Sequence, residues 1–231
     1  METLFNPIGS EVLILDVGAN SGETGLAFAL QNREMHVIAF EPVPEMVGII
    51  TENYHKAVEV HGPIPNYSLV KAAISDFDGD AEFNVAGQAD WGCSSLNTFS
   101  DGLDQTWPGR TDFKVTQKLP VKVMRLDTFF RNFPVHLIAY MHCDTQGSDL
   151  KVLSGMGEYR NCLMKGVIEC ATSRSVALYK EQHTLEDVVI DFLRWGFEID
   201  RVTANDQFLN EVNINFNNRF TRPRVTSQPT P

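Results

Sequence analysis

The chain has 231 residues, long enough for one substantial α/β domain with its own core and too short for two full ones. Its 43% hydrophobic and 21% charged residues suit a soluble globular protein, and its net charge of −11 argues against nucleic-acid partners, whose phosphates need a basic face. Residues 1–10 lack the basic start and apolar run of a secretory signal, and no stretch approaches the about 18 apolar residues of a membrane span, so a cytoplasmic protein without membrane contact is expected.

Val12 to Leu15 form an apolar run typical of a strand buried on both faces, ended by Asp16. Gly18 and Gly22 bracket a polar turn, and Leu26, Ala27, Phe28 and Leu30 mark the apolar face of a helix. Such a strand, glycine turn and helix N-terminus make a nucleotide cradle, because glycine admits close backbone approach and the helix presents unpaired N–H groups. Met35 to Phe40 reads as a second strand, closed by Glu41-Pro42, and Glu45 to Tyr54 as a helix. Tyr67 to Ile74 reads as a third strand. Asp78-Gly79 is a hairpin signal, followed by alternation from Ala81 to Val85.

Residues 86–118 are too long for a tight connection and are expected to be a functional loop, with Trp91, Trp107 and Phe113 walling an acceptor site. Strand character returns at Val121 and Val123, and Asp127 reads as the cap of a short helix over 128–132. Val135 to Met141 is a strand leading into His142-Cys143-Asp144, followed by a helix from Ser148. Leu163 to Ile168 is the fifth strand, with Glu169 at its tip. Thr184, with Asp187 three positions on, caps a helix that runs to Trp195 and stops at Gly196. Two late antiparallel strands follow, Phe197 to Val202 and Asn210 to Phe216. Residues 1–218 are read as a single domain and 219–231 as a disordered tail. Cys93, Cys143, Cys162 and Cys170 match no zinc spacing and read as free thiols.

Strands alternating with helices predict a doubly wound, mostly parallel α/β sheet whose ligands lie beyond the carboxyl ends of the strands. Asp16, Glu41, Asp76, Asp144 and Glu169 all follow strands. Glu41 stands 25 residues after Asp16, where an acid can accept hydrogen bonds from both ribose hydroxyls of an adenosine. The turn Gly18-Ala19-Asn20-Ser21-Gly22 lacks the G-x-G-x-x-G of a dinucleotide site, and the chain has no G-K-[ST]. An adenosine cofactor without phosphates fits better, and S-adenosyl-L-methionine is such a cofactor. An NAD-type oxidoreductase is the weaker enzymatic reading, since a Tyr-x-x-x-Lys pair is also missing. A catalytically silent cofactor-binding protein is the non-enzymatic one.

Several motifs occur in order: Asp16-Val17-Gly18-Ala19-Asn20-Ser21-Gly22, Glu41-Pro42-Val43-Pro44, Ala72-Ala73-Ile74-Ser75-Asp76 with Gly79, Ser94-Ser95-Leu96, Leu126-Asp127, and Asp144 to Gly155. Together they resemble the FkbM-type S-adenosylmethionine-dependent methyltransferases, over residues 11–200. The resemblance implies a class I methyltransferase (Rossmann-like) fold of seven strands, the last inserted antiparallel, with a hairpin and loop insertion after strand three. It implies methyl transfer most often to oxygen, with a small-molecule or sugar hydroxyl as acceptor. The loop Gly18 to Gly22, Asn20 included, would pack on the methionine end, with Asp16 pairing its α-ammonium. Glu41 would hold the ribose, Ala73 to Asp76 would border the adenine, and Ser94-Ser95 would help close the site. Asp144 is the leading general base and His142 the alternative, the two sharing one strand face by alternation. Asp149 departs from the family's usual Glu, and His142-Cys143 from its Lys-Ile-like pair. No metal is expected, because Asp144 and Glu169 lack a third ligand with suggestive spacing.

Overall fold

The structure is a computed structural model that describes residues 3–86, 91–110 and 113–224. Its elements in chain order begin with β1 (Leu4–Phe5), β2 (Val12–Val17), α1 (Glu23–Gln31), β3 (His36–Phe40), α2 (Pro44–His61), β4 (Tyr67–Val70), β5 (Ala73–Ile74) and β6 (Gly79–Ala86). They continue with α3 (Leu103–Thr106), β7 (Val115–Met124), α4 (Leu126–Phe129), β8 (Leu137–Cys143), α5 (Asp149–Gly155), β9 (Lys165–Ala171), α6 (Leu185–Trp195), β10 (Phe197–Ala204) and β11 (Glu211–Asn218).

The main sheet runs β1-β4-β3-β2-β8-β9-β11-β10. Strands β4, β3, β2, β8 and β9 pair in parallel, and β11 is inserted antiparallel between β9 and β10. This is the expected doubly wound, Rossmann-like sheet with one strand more than the expected seven: β1 adds antiparallel to the outer edge of β4. Two paired residues, Leu4 and Phe5, are too few to leave a periodic signal in the sequence.

Alternation along β2 sends its side chains to two separate cores. Leu13, Leu15 and Val17 pack with Leu150, Val188 and Phe192 on one face; Ile14 packs with Leu26, Ala29, Ile50 and Tyr67 on the other. Each such fully buried aliphatic side chain is worth about 1.5–3 kcal/mol. Helix α2 runs longer than expected and starts at Pro44, tolerated there because a first-turn N–H has no helical partner.

The expected third strand divides in two. A turn closed by Ala72 N–H donating to Val70 O (3.0 Å) takes the chain out of the main sheet. Ala73 then pairs in parallel with Val123 of β7, and β6 pairs antiparallel with β7 in a second sheet ordered β5-β7-β6. The hairpin partner of β6 is therefore β7, across the insertion. Asp78 does not make a tight turn; its carboxylate accepts from Arg125 N–H (2.9 Å) and Thr128 Oγ1–H (2.8 Å). Asp127 is not a cap either: α4 begins after Arg125, and Asp127 takes a two-pronged ion pair from that guanidinium (2.9 and 2.7 Å). Thr184 and Asp187 do form a reciprocal capping box on α6, and Gly196 ends that helix in the left-handed region.

Of the tail expected from residue 219 to be disordered, residues 225–231 lie outside the described residues, and 219–224 are hydrogen-bonded to the body. Arg222 N–H donates to Asn161 O (2.7 Å), Arg224 N–H donates to His136 O (2.9 Å), and the Arg224 guanidinium lies over the Tyr159 ring. Cys143, Cys162 and Cys170 are buried free thiols and Cys93 is half-buried. No helix among the described residues is long and apolar enough to cross a membrane.

Candidate functional site

Three strand ends meet at one cleft. After β2 the chain turns so that Gly18 N–H and Ala19 N–H both donate to Phe40 O at the end of β3 (3.1 and 3.0 Å). Gly18 has φ +83°, and a Cβ there would stand 1.9 Å from the Asp144 carbonyl oxygen. Only glycine lets this turn cross the end of β8. Gly22 caps α1 at φ +77°, with Ile50 where its Cβ would be, so it shapes the turn from behind the cleft.

Glu41 is 5% exposed, and backbone donors hold both its oxygens: Asn20 N–H to Oε2 and Val43 N–H to Oε1, each 2.9 Å. Burial raises its pKa to about 7; the two backbone bonds oppose the rise and the Asp16 charge adds to it. Each oxygen keeps a lone pair for a further donor. A cleft opens beside it. Phe40, Val43, Met46, Phe83 and Leu96 give it apolar walls, Ala72 to Ile74 are small or apolar on one side, and Asp144, Thr145, Gln146 and Ser148 supply a polar end.

Gly18, Asn20, Glu41, Ala73 and Asp144, all singled out from the sequence, line this cleft; Asp16, Gly22, Asp76, Ser95 and His142 do not. Asp16 lies fully buried beneath it. Its Oδ1 accepts from His142 Nδ1–H (2.9 Å), and its Oδ2 has no hydrogen-bond partner among the described residues. Gly25 of α1 makes room for that carboxylate, since a Cβ there would come within 2.6 Å of Oδ2. His142 therefore pairs with Asp16, 126 residues away, and not with Asp144. Burial pulls the His142 pKa down, but the Asp16 bond and the surrounding carboxylate charges outweigh it and the net shift is upward. Asp144, half-buried, accepts from Gln146 Nε2–H on Oδ1 (2.7 Å). Burial raises its pKa against that bond and the His142 charge.

Asp76 is exposed and accepts from Ser75 Oγ–H (3.2 Å), while Ala72, Ala73 and Ile74 face the cleft in its place. Ser95 is buried and donates to Gln146 O (2.6 Å); its neighbour Ser94 lines the cleft. Glu169 is internal to β9, which runs on to Ala171, and its carboxylate is bonded by Asn205 of the loop after β10. Trp107 and Phe113 do not line the cleft. They pack on each other (5.5 Å between rings), and Phe113 lies tilted against Phe99, which stacks on Tyr179, pinning the insertion to the body. The Trp91 side chain lies outside the described residues. Met46 and Phe83 were not singled out as site residues, and Leu96 only as part of the Ser94-Ser95-Leu96 motif, because only long-range folding brings Phe83 and Leu96 to the strand tips.

Residues 16–199 match the family model described as the methyltransferase FkbM domain. The chain belongs to the FkbM methyltransferase family. A curated relative, the 2-O-methyltransferase NoeI of Sinorhizobium fredii (strain NBRC 101917 / NGR234), is 28% identical over 148 residues, covering 62% of this chain and 56% of NoeI. The crystal structure of an FkbM methyltransferase from Methylobacillus flagellatus KT superposes with a TM-score of 0.52 at 15% identity, over 92% of this chain and 45% of its own; the likeness is one of fold. The chain spans about half the length of these two proteins. Asp149, where FkbM proteins usually have Glu, is fully used inside the fold. Its Oδ1 accepts from Thr145 N–H (2.7 Å) and Thr145 Oγ1–H (2.5 Å), and its Oδ2 from Glu169 N–H (2.7 Å). Burial and the Asp144 charge raise its pKa to about 7. The shorter acid closes the turn after β8 onto β9 and lies buried, outside the lining of the cleft.

Proposed function

We propose that the protein is an S-adenosyl-L-methionine-dependent methyltransferase that methylates a hydroxyl of a small molecule or sugar. The observation that carries this reading is the Glu41 carboxylate, fixed by two backbone N–H groups at the rim of an apolar cleft. The donor set fits the cofactor: two unused lone pairs suit a vicinal diol, and the Phe40, Val43, Met46 and Phe83 walls suit a purine. Gly18 and Asn20 border the cleft on the side where the amino-acid end of the cofactor would lie. When bound, the cofactor supplies an electrophilic methyl group for in-line displacement. The chain's own residues bind, align and take up a proton. Asp144 is the proton acceptor, because it alone of the two candidate bases lines the cleft and its pKa is raised toward neutrality. That NoeI is a 2-O-methyltransferase supports oxygen as the atom methylated.

Calorimetric titration with S-adenosylhomocysteine and with NAD tests the reading. The first is expected to bind and the second not. Glu41→Ala is expected to weaken S-adenosylhomocysteine binding by about 1–3 kcal/mol, the usual cost of lost charged hydrogen bonds. Unchanged affinity would remove Glu41 from the site.

A further inference from the structure

Gln146 sits in a backbone conformation that a side chain rarely adopts, φ +55°. What holds it there is a set of contacts from distant parts of the chain. Its carbonyl oxygen accepts from Ser95 Oγ–H (2.6 Å) and Asn97 Nδ2–H (3.4 Å), both buried residues of the insertion. Its amide then bridges two groups: Nε2–H donates to Asp144 Oδ1 (2.7 Å), and Oε1 accepts from Tyr179 O–H (2.9 Å). The amide has one sensible orientation, because a carboxylate can only accept. Tyr179 is itself fixed. It is fully buried, its single hydroxyl proton is shared between Gln146 Oε1 (2.9 Å) and Cys93 O (2.8 Å), and its ring packs where a Cβ on Gly147 would stand. Gln182 Oε1 accepts from Leu178 N–H (2.8 Å) and Tyr179 N–H (3.3 Å), anchoring the segment.

We propose that Gln146, strapped by Ser95 and Asn97 and braced by Tyr179, is the positioning residue that aims Asp144: its amide occupies one carboxylate oxygen and leaves the other for the acceptor hydroxyl. The inference rests on Asp144 serving the reaction as read above, and it adds a device. Ser94 and Leu96, which wall the cofactor cleft, flank the serine that clamps Gln146. Cleft wall and proton acceptor are therefore set by one loop. A cleft assembled around the cofactor carries an Asp144 already turned toward the acceptor, and a disordered loop releases both.

The acceptor is unidentified, so the test reads Asp144 directly, by NMR titration of its 13C-labelled carboxyl in the full chain. Gln146→Gly is the informative variant, since glycine favours the left-handed backbone and the substitution removes the amide, with its two methylenes, without straining the turn. The Gln146 bond holds the Asp144 pKa down, so this variant is expected to titrate about half a pH unit or more higher, a threefold gain in proton affinity. Tyr179→Phe, which keeps the ring and removes the brace, should shift it the same way by less. The other charged groups facing Asp144 are unchanged in both variants: His142 on its own strand, Asp16 on β2, Asp149 on α5, Glu169 on β9 and Glu211 on β11. S-adenosylhomocysteine affinity should not change in Tyr179→Phe, because Tyr179 does not line the cleft. An Asp144 titration that stays at the wild-type midpoint in Gln146→Gly overturns the proposal. Failure of wild type to bind S-adenosylhomocysteine is a different result and overturns the methyltransferase reading itself.

Discussion

At position 41 a carboxylate is buried with only backbone N–H groups to hold it, an arrangement that costs stability in the free protein and favours any ligand bringing further donors. The pKa of about 7 follows from that cost. Hydroxyls donating to Glu41 favour its charged form, so the complex has a lower pKa at this residue and binding releases a proton below about pH 7. Affinity for S-adenosylhomocysteine should fall about tenfold for each pH unit below 7 and be flat above it. Calorimetry across pH, in buffers of different ionisation enthalpy, reads both the affinity and the proton; Glu41→Gln should abolish the slope. A pH-independent affinity in the wild type would show that Glu41 does not meet the ligand as a carboxylate. The place of Glu41 in the cleft was legible in the sequence, from an acid at the end of the second strand. The raised pKa was not, since it depends on walls contributed by residues 40 to 96.

Two turns show how far local sequence reaches. The capping box at Thr184 and Asp187 is written within four residues, and the structure makes it as read. Thr184→Ala should cost about 1 kcal/mol of stability by denaturant unfolding and leave S-adenosylhomocysteine affinity unchanged, since α6 does not line the cleft. The Gly18 turn is also local in sequence, but its reason is not: the clash that excludes a side chain there comes from Asp144. Gly18→Ala should therefore cost about 2–4 kcal/mol, combining positive-φ strain with the overlap against backbone. A stability within a few tenths of wild type would contradict that close approach. The readings that failed share one cause. Pairing of β5 with β7, of β1 with β4 and of Asp16 with His142 joins residues 50 to 126 positions apart, beyond the reach of periodicity or caps. Glu169 was read as the tip of the fifth strand; pairing of Cys170 with Val212 and of Ala171 with Glu211 carries β9 past it.

For the molecule as a whole, buried carboxylates dominate the electrostatics. Glu41, Asp149 and Glu211 are each pushed up to about 7 by burial, so between roughly pH 4 and 7 the folded chain holds protons that the unfolded chain has released. Their contribution to stability is complete below the unfolded carboxylate pKa and is lost as pH rises through 7. His36, pulled down to about 4 by burial, and His183, also lowered by burial, work in the opposite direction. The free protein should thus melt at a higher temperature near about pH 6 than near about pH 8. Glu211→Gln should flatten that dependence, and a melting temperature that rises steadily over this range would contradict it. The family, the doubly wound sheet and the location of the cleft were all legible from ordered motifs at strand ends. Which acids face the ligand was not, because side-chain direction at those ends depends on the neighbouring strands.

A crystal structure of the chain grown with S-adenosylhomocysteine tests the central claim most directly. The account predicts the nucleoside in the cleft between Phe40 and Phe83, its ribose hydroxyls on the Glu41 carboxylate and its sulfur facing Asp144. A nucleoside bound elsewhere, or a Glu41 still held only by Asn20 and Val43 with the cleft empty, would contradict it.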